Sequence, residues 1–174
     1  AALLKWLPGS RYTPVQKNVL LFTLMTGART GEVCTAYWRD IDLESGTWHL
    51  RETKTFSERY VQLSTQAIEF LKPLMRITGD CLFPSQKTGL PIKQKQLTMQ
   101  SWHMRKNDQF IDLPKWTPHD LRRSVRTGLA RMSCPSEVGE AILGHARSGI
   151  EGTYDLHSYE PECRVWLQKW CDHL

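Results

Sequence analysis

Apolar residues recur at helical spacing over most of the chain and alternate with polar ones in one short region. The pattern predicts a mostly helical domain with a single small sheet. A helix is expected from about Pro14 to Met25, with Thr13 as cap, Pro14 in its first position and Gly27 as terminator. A second follows from about Thr30 to Tyr37. Three short strands come next, Ile41 to Leu43, Thr47 to Arg51 and Arg59 to Leu63, the first pair joined by the turn Glu44-Ser45-Gly46. Helices are then expected from about Thr65 to Ile77 and from Gln94 to Lys106, with Leu82-Phe83-Pro84 and Gly89-Leu90-Pro91 reading as loops. Thr117-Pro118-His119-Asp120 is a helix start, with a threonine cap, a first-position proline and an acid three residues after the cap. That helix should reach about Met132, and a short one from Ser136 to Leu143 is closed by Gly144. The last helix begins at Glu160 and carries Cys163, Trp166, Leu167, Trp170 and Leu174 on one stripe. Such a stripe needs cover, from its own domain or from a neighbouring copy, and for the chain alone the first is expected. The sum is an α+β fold, mostly helical, with a three-stranded antiparallel sheet.

A length of 174 residues suits one domain with a real core. Apolar residues at 40% and charged residues at 24% are ordinary for a globular chain, and no apolar run approaches the ~20 residues of a membrane span. No charged-then-apolar leader is visible. The chain opens on Ala1 and passes at once into Leu3, Leu4, Trp6 and Leu7, which reads as a fragment of a longer protein. The five cysteines (Cys34, Cys81, Cys134, Cys163, Cys171) form no CxxC pair, so they read as reduced thiols, several of them core fillers. A His/Cys metalloprotein fails on the same spacing.

Charge is more informative. The net charge is +5, and its distribution is uneven. Between Cys81 and Asn107 lie Lys87, Lys93, Lys95, Arg105 and Lys106 with no acid, and Arg122, Arg123, Arg126 and Arg131 soon follow. Acids gather later, from Glu137 to Glu162. A basic middle and an acidic end suit a one-sided surface for phosphates.

Four places could carry chemistry. His119 and Arg122 share a face at a helix start, where two donors and the positive end of the dipole favour an oxyanion. Arg29 sits on a tight turn between glycines, and Glu32, one helical turn on, can hold its guanidinium in a fixed pose. His145 follows Leu143-Gly144, with Tyr154 nine residues later. Lys54 occupies the turn of the second hairpin. Singly, each has a bland reading as a surface ion pair, a packed histidine or a solubilising lysine.

Together and in this order they closely resemble the catalytic domain of the tyrosine recombinases, the phage-integrase family. The likeness runs from about Thr13 to Leu174, and the tail from Tyr154 through Trp170-Cys171-Asp172-His173-Leu174 is most similar to integrases of satellite phages and genomic islands. The resemblance implies that Tyr154 attacks a DNA phosphate to give a 3′-phosphotyrosyl link and a free 5′-hydroxyl. Arg29 and Arg122 would hold the nonbridging oxygens, His119 would act as base or proton relay, and His145 would donate to the phosphate. Lys54 would protonate the leaving oxygen and Glu32 would support Arg29. Neither metal nor cofactor is implied. Lys87, Lys93, Lys95, Arg105, Lys106, Arg123 and Arg126 are the expected DNA-binding set. A second tyrosine, Tyr159, lies five residues after Tyr154, but family spacing favours Tyr154.

The implied function is site-specific recombination that integrates or excises a mobile element. Its partners would be double-stranded DNA at attachment sites, three further copies in a homotetramer, and accessory DNA-bending proteins, in the bacterial cytoplasm at the nucleoid and away from membranes. Residues 1–174 would form the catalytic domain, with N-terminal DNA-binding domains absent. The alternatives are a type IB topoisomerase, a hairpin-forming resolvase, or a catalytically silent DNA-binding relative. The complete Arg, Lys, His, Arg, His, Tyr series argues against the last.

Overall fold

A computed structural model of the chain describes residues 2–51, 58–112, 116–145 and 157–174. It opens with α1 (Ala2–Trp6), a five-residue helix too short to leave a periodic signal, followed by a 3-10 turn over Leu7–Gly9. Helix α2 (Pro14–Thr26) starts as its sequence asks. Thr13 Oγ1 accepts from the Gln16 N–H at 3.3 Å, and Gln16 Oε1 accepts from the Thr13 N–H at 2.9 Å.

Helix α3 (Thr30–Cys34) is shorter than the expected run to Tyr37. Residues 36–38 instead pair with the segment around Cys81: Leu82 N–H donates to Ala36 O at 2.9 Å and Trp38 N–H to Asp80 O at 3.0 Å. That pairing buries Leu82 and Phe83, so a stretch expected as loop is part of the core. The sheet is as expected in order and direction: β1 (Ile41–Asp42), β2 (Thr47–Leu50) and β3 (Arg59–Gln62), antiparallel in the order β1-β2-β3. Helix α4 (Thr65–Leu71) stops well before Ile77, because Pro73 has no N–H to continue the ladder. A separate 3-10 turn over Leu74–Arg76 takes its place.

Helix α5 (Gln94–Lys106) matches its predicted bounds. Helix α6 (Asp120–Arg131) begins three residues after the expected Thr117 cap. The Asp120 carboxylate reaches back to accept from both the Thr117 N–H and its hydroxyl at 2.8 Å, which closes a separate turn over Pro118 and His119. Then come α7 (Ser136–Leu143) and α8 (Glu160–His173).

Two apolar clusters form. One surrounds the sheet, where Phe22 meets Trp48 and Phe83 at ring-centroid distances of 5.5 and 5.8 Å, and it takes in Leu121. The other joins Leu24, Val125, Leu129, Val138 and Ile142 to α8. Helices α2 and α6 contribute to both clusters and so mark the seam between them.

The stripe of α8 packs in cis. Cys163, Leu167 and Trp170 are buried, Trp170 Nε1 donates to Leu24 O at 2.8 Å, and Arg164 donates to Ser45 O at 2.7 Å. Gly128 lies under the Trp170 ring, where a β-carbon would fall 2.1 Å from Cζ3. All five cysteines are buried, and burial pushes the Cys34 and Cys163 thiols up to about 12 and Cys134 to about 11. They stay protonated and inert, as core fillers should. No helix among the described residues is long and apolar enough to cross a membrane.

Candidate active site

The seam ends at the carboxyl end of α7. There three successive backbone carbonyls each accept from a different arginine. Arg59 Nη1 donates to Ile142 O at 3.2 Å, Arg122 Nη2 to Leu143 O at 2.8 Å, and Arg29 Nη2 to Gly144 O at 3.3 Å. The last carbonyls of a helix lack partners within it and sit at the negative end of its dipole, so they attract cations. Arg122 is buried and also donates to Gly27 O at 2.5 Å, which ties the α2–α3 turn to the same point.

Glu32 completes the cluster from α3. Its Oε1 accepts from Arg29 Nη1 at 2.8 Å, and its Oε2 accepts from Arg59 Nη2 at 3.0 Å and from the Arg29 N–H at 2.8 Å. Burial pushes its carboxyl up, but the Arg59 charge and the bonds from Arg29 outweigh this and hold it below the usual carboxylate range. The pairing expected between Arg29 and Glu32 is therefore present, with a second arginine sharing it. Three guanidiniums meet one directly bonded carboxylate, which leaves positive charge in excess. Burial and then the charge of Arg29 push Arg122 down to about 10, far enough above neutrality for it to remain a cation. A bound anion would relieve that repulsion.

His145 follows Gly144. Its Nδ1 lies 2.5 Å from Glu140 Oε2, and its Nε2 is 3.3 Å from Arg122 Nη2. A guanidinium only donates, so Nε2 is the acceptor and the proton sits on Nδ1, toward Glu140. Glu140 in turn accepts from Arg126 Nε at 2.8 Å. Burial pushes the Glu140 carboxyl up, but the bonds from Arg126 and His145 hold it below the usual range.

His119 is exposed ahead of α6, and its turn is tied to α3 by Thr30 Oγ1 donating to Pro118 O at 3.4 Å. It lines a groove of about 740 Å³ together with Arg29, Arg39, His49 and Arg51. Arg39 and Arg51 share Asp40, which also lines this groove, at 3.8 and 2.7 Å, so the pair keeps one positive charge in excess; neither was among the expected DNA-binding residues. None of the seven residues expected to bind DNA lines it. Lys87 instead lines a smaller groove of about 330 Å³ with Met99 and His103. Lys93, just ahead of α5, and Lys95 and Lys106 on it are exposed, and Arg105 donates to Trp116 O with its guanidinium 4.1 Å over the Phe110 ring. Arg123 pairs with Asp120 at 2.9 Å in the open, and Arg126 is engaged with Glu140.

Arg59 is the residue that sequence reasoning missed, although a signal was there. The register sets Arg59 opposite Leu50 and Trp48 opposite Val61. Side chains alternate along a strand, so Arg59, Val61 and Leu63 face inward while Tyr60 stacks on His49 outside. A charge at the first of three inward positions is a buried cation in need of a partner.

Two expected site residues, Lys54 and Tyr154, lie outside the described residues. Tyr159 packs against the second apolar cluster. Among the described residues no group of His, Cys, Asp and Glu is placed to hold a metal ion.

The sequence profile of the phage integrase family matches residues 3–160. The chain belongs to the phage integrase family. It is similar to the prophage integrase IntA of Escherichia coli K12, 24% identical over 160 residues that cover 88% of this chain and 37% of that protein. The integrase of Enterobacteria phage P4 is 25% identical over 172 residues, covering 87% and 38%. The chain thus spans less than half the length of these two relatives. Among solved structures, the XerH site-specific recombinase bound to its difH substrate shares the fold, with a TM-score of 0.66 and 22% identity over 95% of this chain and 51% of that one. In this integrase-family fold, Arg29, Arg122 and His145 meet at the end of α7, and His119 shares the groove with Arg29.

Proposed function

We propose that the chain is the catalytic domain of a site-specific DNA recombinase that cleaves and rejoins strands through a 3′-phosphotyrosyl intermediate. The observation that carries this is the trio of arginines held on successive carbonyls with His145 alongside. It is a rigid cluster with unneutralised positive charge, suited to the single charge of a phosphodiester and the greater charge of its pentavalent transition state. The integration or excision of a mobile element is the reaction in which the integrase relatives would use it.

In this mechanism the Tyr154 oxygen attacks phosphorus, the bond from phosphorus to the 5′-oxygen breaks, and the enzyme is left esterified to the 3′-phosphate. Arg29 and Arg122 neutralise the nonbridging oxygens. When phosphate takes the place of the Arg122 contact, His145 takes up a proton from solvent on Nε2 and donates from it to the phosphate, with Glu140 stabilising the resulting imidazolium through Nδ1. His119 takes or relays the tyrosine proton, and Lys54 delivers one to the leaving 5′-oxygen. The ester keeps the bond energy, so a 5′-hydroxyl from the partner strand rejoins the backbone without ATP. Double-stranded DNA would lie along the groove past Arg39 and Arg51. Upstream domains would clamp it from the far side, four copies would assemble for strand exchange, and accessory proteins would bend the DNA.

The test is a nicked suicide substrate carrying the attachment sequence, scored for covalent adducts. Wild-type protein should form the adduct in excess EDTA, because guanidiniums supply the charge. Tyr154→Phe should form none while binding the duplex normally. An adduct that survives in Tyr154→Phe and vanishes in Tyr159→Phe reassigns the nucleophile, and loss of cleavage on chelation with rescue by a divalent ion sinks the metal-free scheme. Lys54→Ala should be slow on the phosphodiester yet near wild-type on a 5′-bridging phosphorothiolate, whose sulfur leaves without a proton. An equal defect on both would make Lys54 a binding residue.

A further inference from the structure

Arg59 opens strand β3, and its side chain crosses from the sheet to the end of α7. Its side chain is 15% exposed, and it makes two bonds in different directions, to Glu32 Oε2 at 3.0 Å and to Ile142 O at 3.2 Å. Its Nε is buried with no hydrogen-bond partner among the described residues. That nitrogen faces Gly144, where a β-carbon would fall 2.5 Å from Nε and 2.6 Å from Cζ. Gly144 also has φ +64°, so its lack of a side chain serves the backbone turn and the passage of Arg59 at once.

A buried cation that leaves one donor unsatisfied is costly and is kept only where its other contacts matter. Both contacts bear on the phosphate cluster. Glu32 is the group that fixes Arg29, and Ile142 is three residues before His145. Without Arg59, Glu32 would lose one of two cations and could swing with Arg29, and the end of α7 would lose one of three arginines.

We propose that Arg59 is a positioning residue: through Glu32 it fixes the pose of Arg29, and through Ile142 and Gly144 it fixes the end of α7 that presents His145. Arg59 touches no substrate in this assignment. The inference rests on the proposed strand-cleavage reaction only for its effect on rate, because its effect on Arg29 is visible without DNA.

The experiment uses Arg59→Met, which keeps much of the stem and removes the fork. Guanidinium N–H signals of Arg29 and Arg122 are followed by ¹⁵N NMR in the free protein, with exposed Arg123 as reference. Cleavage is then timed on a phosphodiester and on a methylphosphonate, which presents no charged nonbridging oxygen for Arg29 to neutralise. The Arg29 signals should lose their protection. Cleavage of the phosphodiester should fall about 100-fold, as misplacement near 1 Å does. Duplex affinity should hold within about threefold, and the defect on the methylphosphonate should shrink to under about fivefold. Unchanged Arg29 signals, or an equal defect on both substrates, would overturn the assignment. A wild-type protein that forms no adduct on either substrate defeats the recombinase reading instead, and the Arg29 signals then decide the role of Arg59 alone. If Arg59→Met does not fold, Glu32→Gln keeps the volume, removes the shared charge and should give the same pair of results.

Discussion

The carboxyl end of α7 and the outer face of α5 are both rich in positive charge, and they are built in opposite ways. At α7, Arg29, Arg59 and Arg122 each have a backbone carbonyl to hold them, and Glu32 links two of them. Lys93 just ahead of α5, and Lys95 and Lys106 on it, stand in solvent on long stems, and Lys106 leans over the Trp102 ring at 5.3 Å. The first arrangement fixes donors before a ligand arrives, at the cost of repulsion that a phosphate would relieve. The second offers charge without direction. Preorganised donors suit a transition state, and loose ones suit a polyanion bound in any register. Two neighbours on α6 repeat the contrast, since Arg122 is 3% exposed while the Arg123 side chain is 77% exposed.

The same conservative change at both neighbours should separate an anchored arginine from an exposed one. Arg122→Lys keeps a charge but cannot reach Gly27 O and Leu143 O while also facing a phosphate. Single-turnover cleavage should fall by about 10²–10³, with duplex affinity changed only slightly. Arg123→Lys should stay within about threefold in both. Equal effects at the two positions would mean that burial and carbonyl anchoring do not distinguish a clamp from a surface charge.

That distinction was only partly legible in the sequence. The glycine turn around Arg29, the His119–Arg122 spacing and Leu143-Gly144-His145 marked Arg29, Arg122 and His145, which three separate elements bring together, and His119, which lines the groove with Arg29, because each motif is local and the family spacing is characteristic. Arg59 was passed over because it lies at the edge of a hairpin, where a charged residue looks like surface. Only the register, with Leu50 opposite, shows that it points inward. Local rules also placed α2, α5 and the sheet well. They failed where a distant segment intervened, as when pairing with residues 80–82 ended α3 early, and where Pro73 was underweighted in α4. The seven basic residues chosen by charge density miss the groove for a related reason. Composition locates charge along the chain, whereas the groove is assembled from α3, the segment from Thr35 to Asp40, β2, the turn before α6 and, of α5, Gln94 at its start.

A middle-sized effect should appear in stability against pH. Glu32 is held below the usual carboxylate range in the fold, so its ionised form stabilises the native state above its ordinary value of 4.5, and that contribution fades as pH falls through the lowered folded value. Removing the charge with Glu32→Gln leaves Arg29 and Arg59 without their shared anion, at about 3 kcal/mol. The gap in melting temperature between wild type and Glu32→Gln should be widest near neutrality and narrow steadily below pH 4.5. A gap that is constant from pH 7 to pH 3 would show that the cluster gains nothing from the charge on Glu32. Lys95→Gln is the control, because it changes an exposed side chain outside the cluster and should alter stability by less than about 0.5 kcal/mol at neutral pH.

The smallest effect belongs to the α5 lysines, and it separates the two kinds of charge by their response to salt. A lysine that neutralises one DNA phosphate releases condensed counterions, so its loss should reduce the slope of log affinity against log salt by about 0.9 and weaken binding alike on specific and random duplexes. Lys93→Gln, Lys95→Gln and Lys106→Gln, made singly, should each shift the slope by no more than this, with binding changes near 1 kcal/mol at low salt and unaltered cleavage once DNA is saturating. Arg39→Gln and Arg51→Gln are the needed companions, because those residues line the groove that holds Arg29 and His119. If the duplex follows that groove, the two arginine variants should change the slope and the α5 variants should change it less or not at all. If the order is reversed, the DNA lies across α5, and the seven residues first selected by charge density describe the binding face better than the groove does. Titrations from about 50 to 200 mM salt span the range in which such slopes separate.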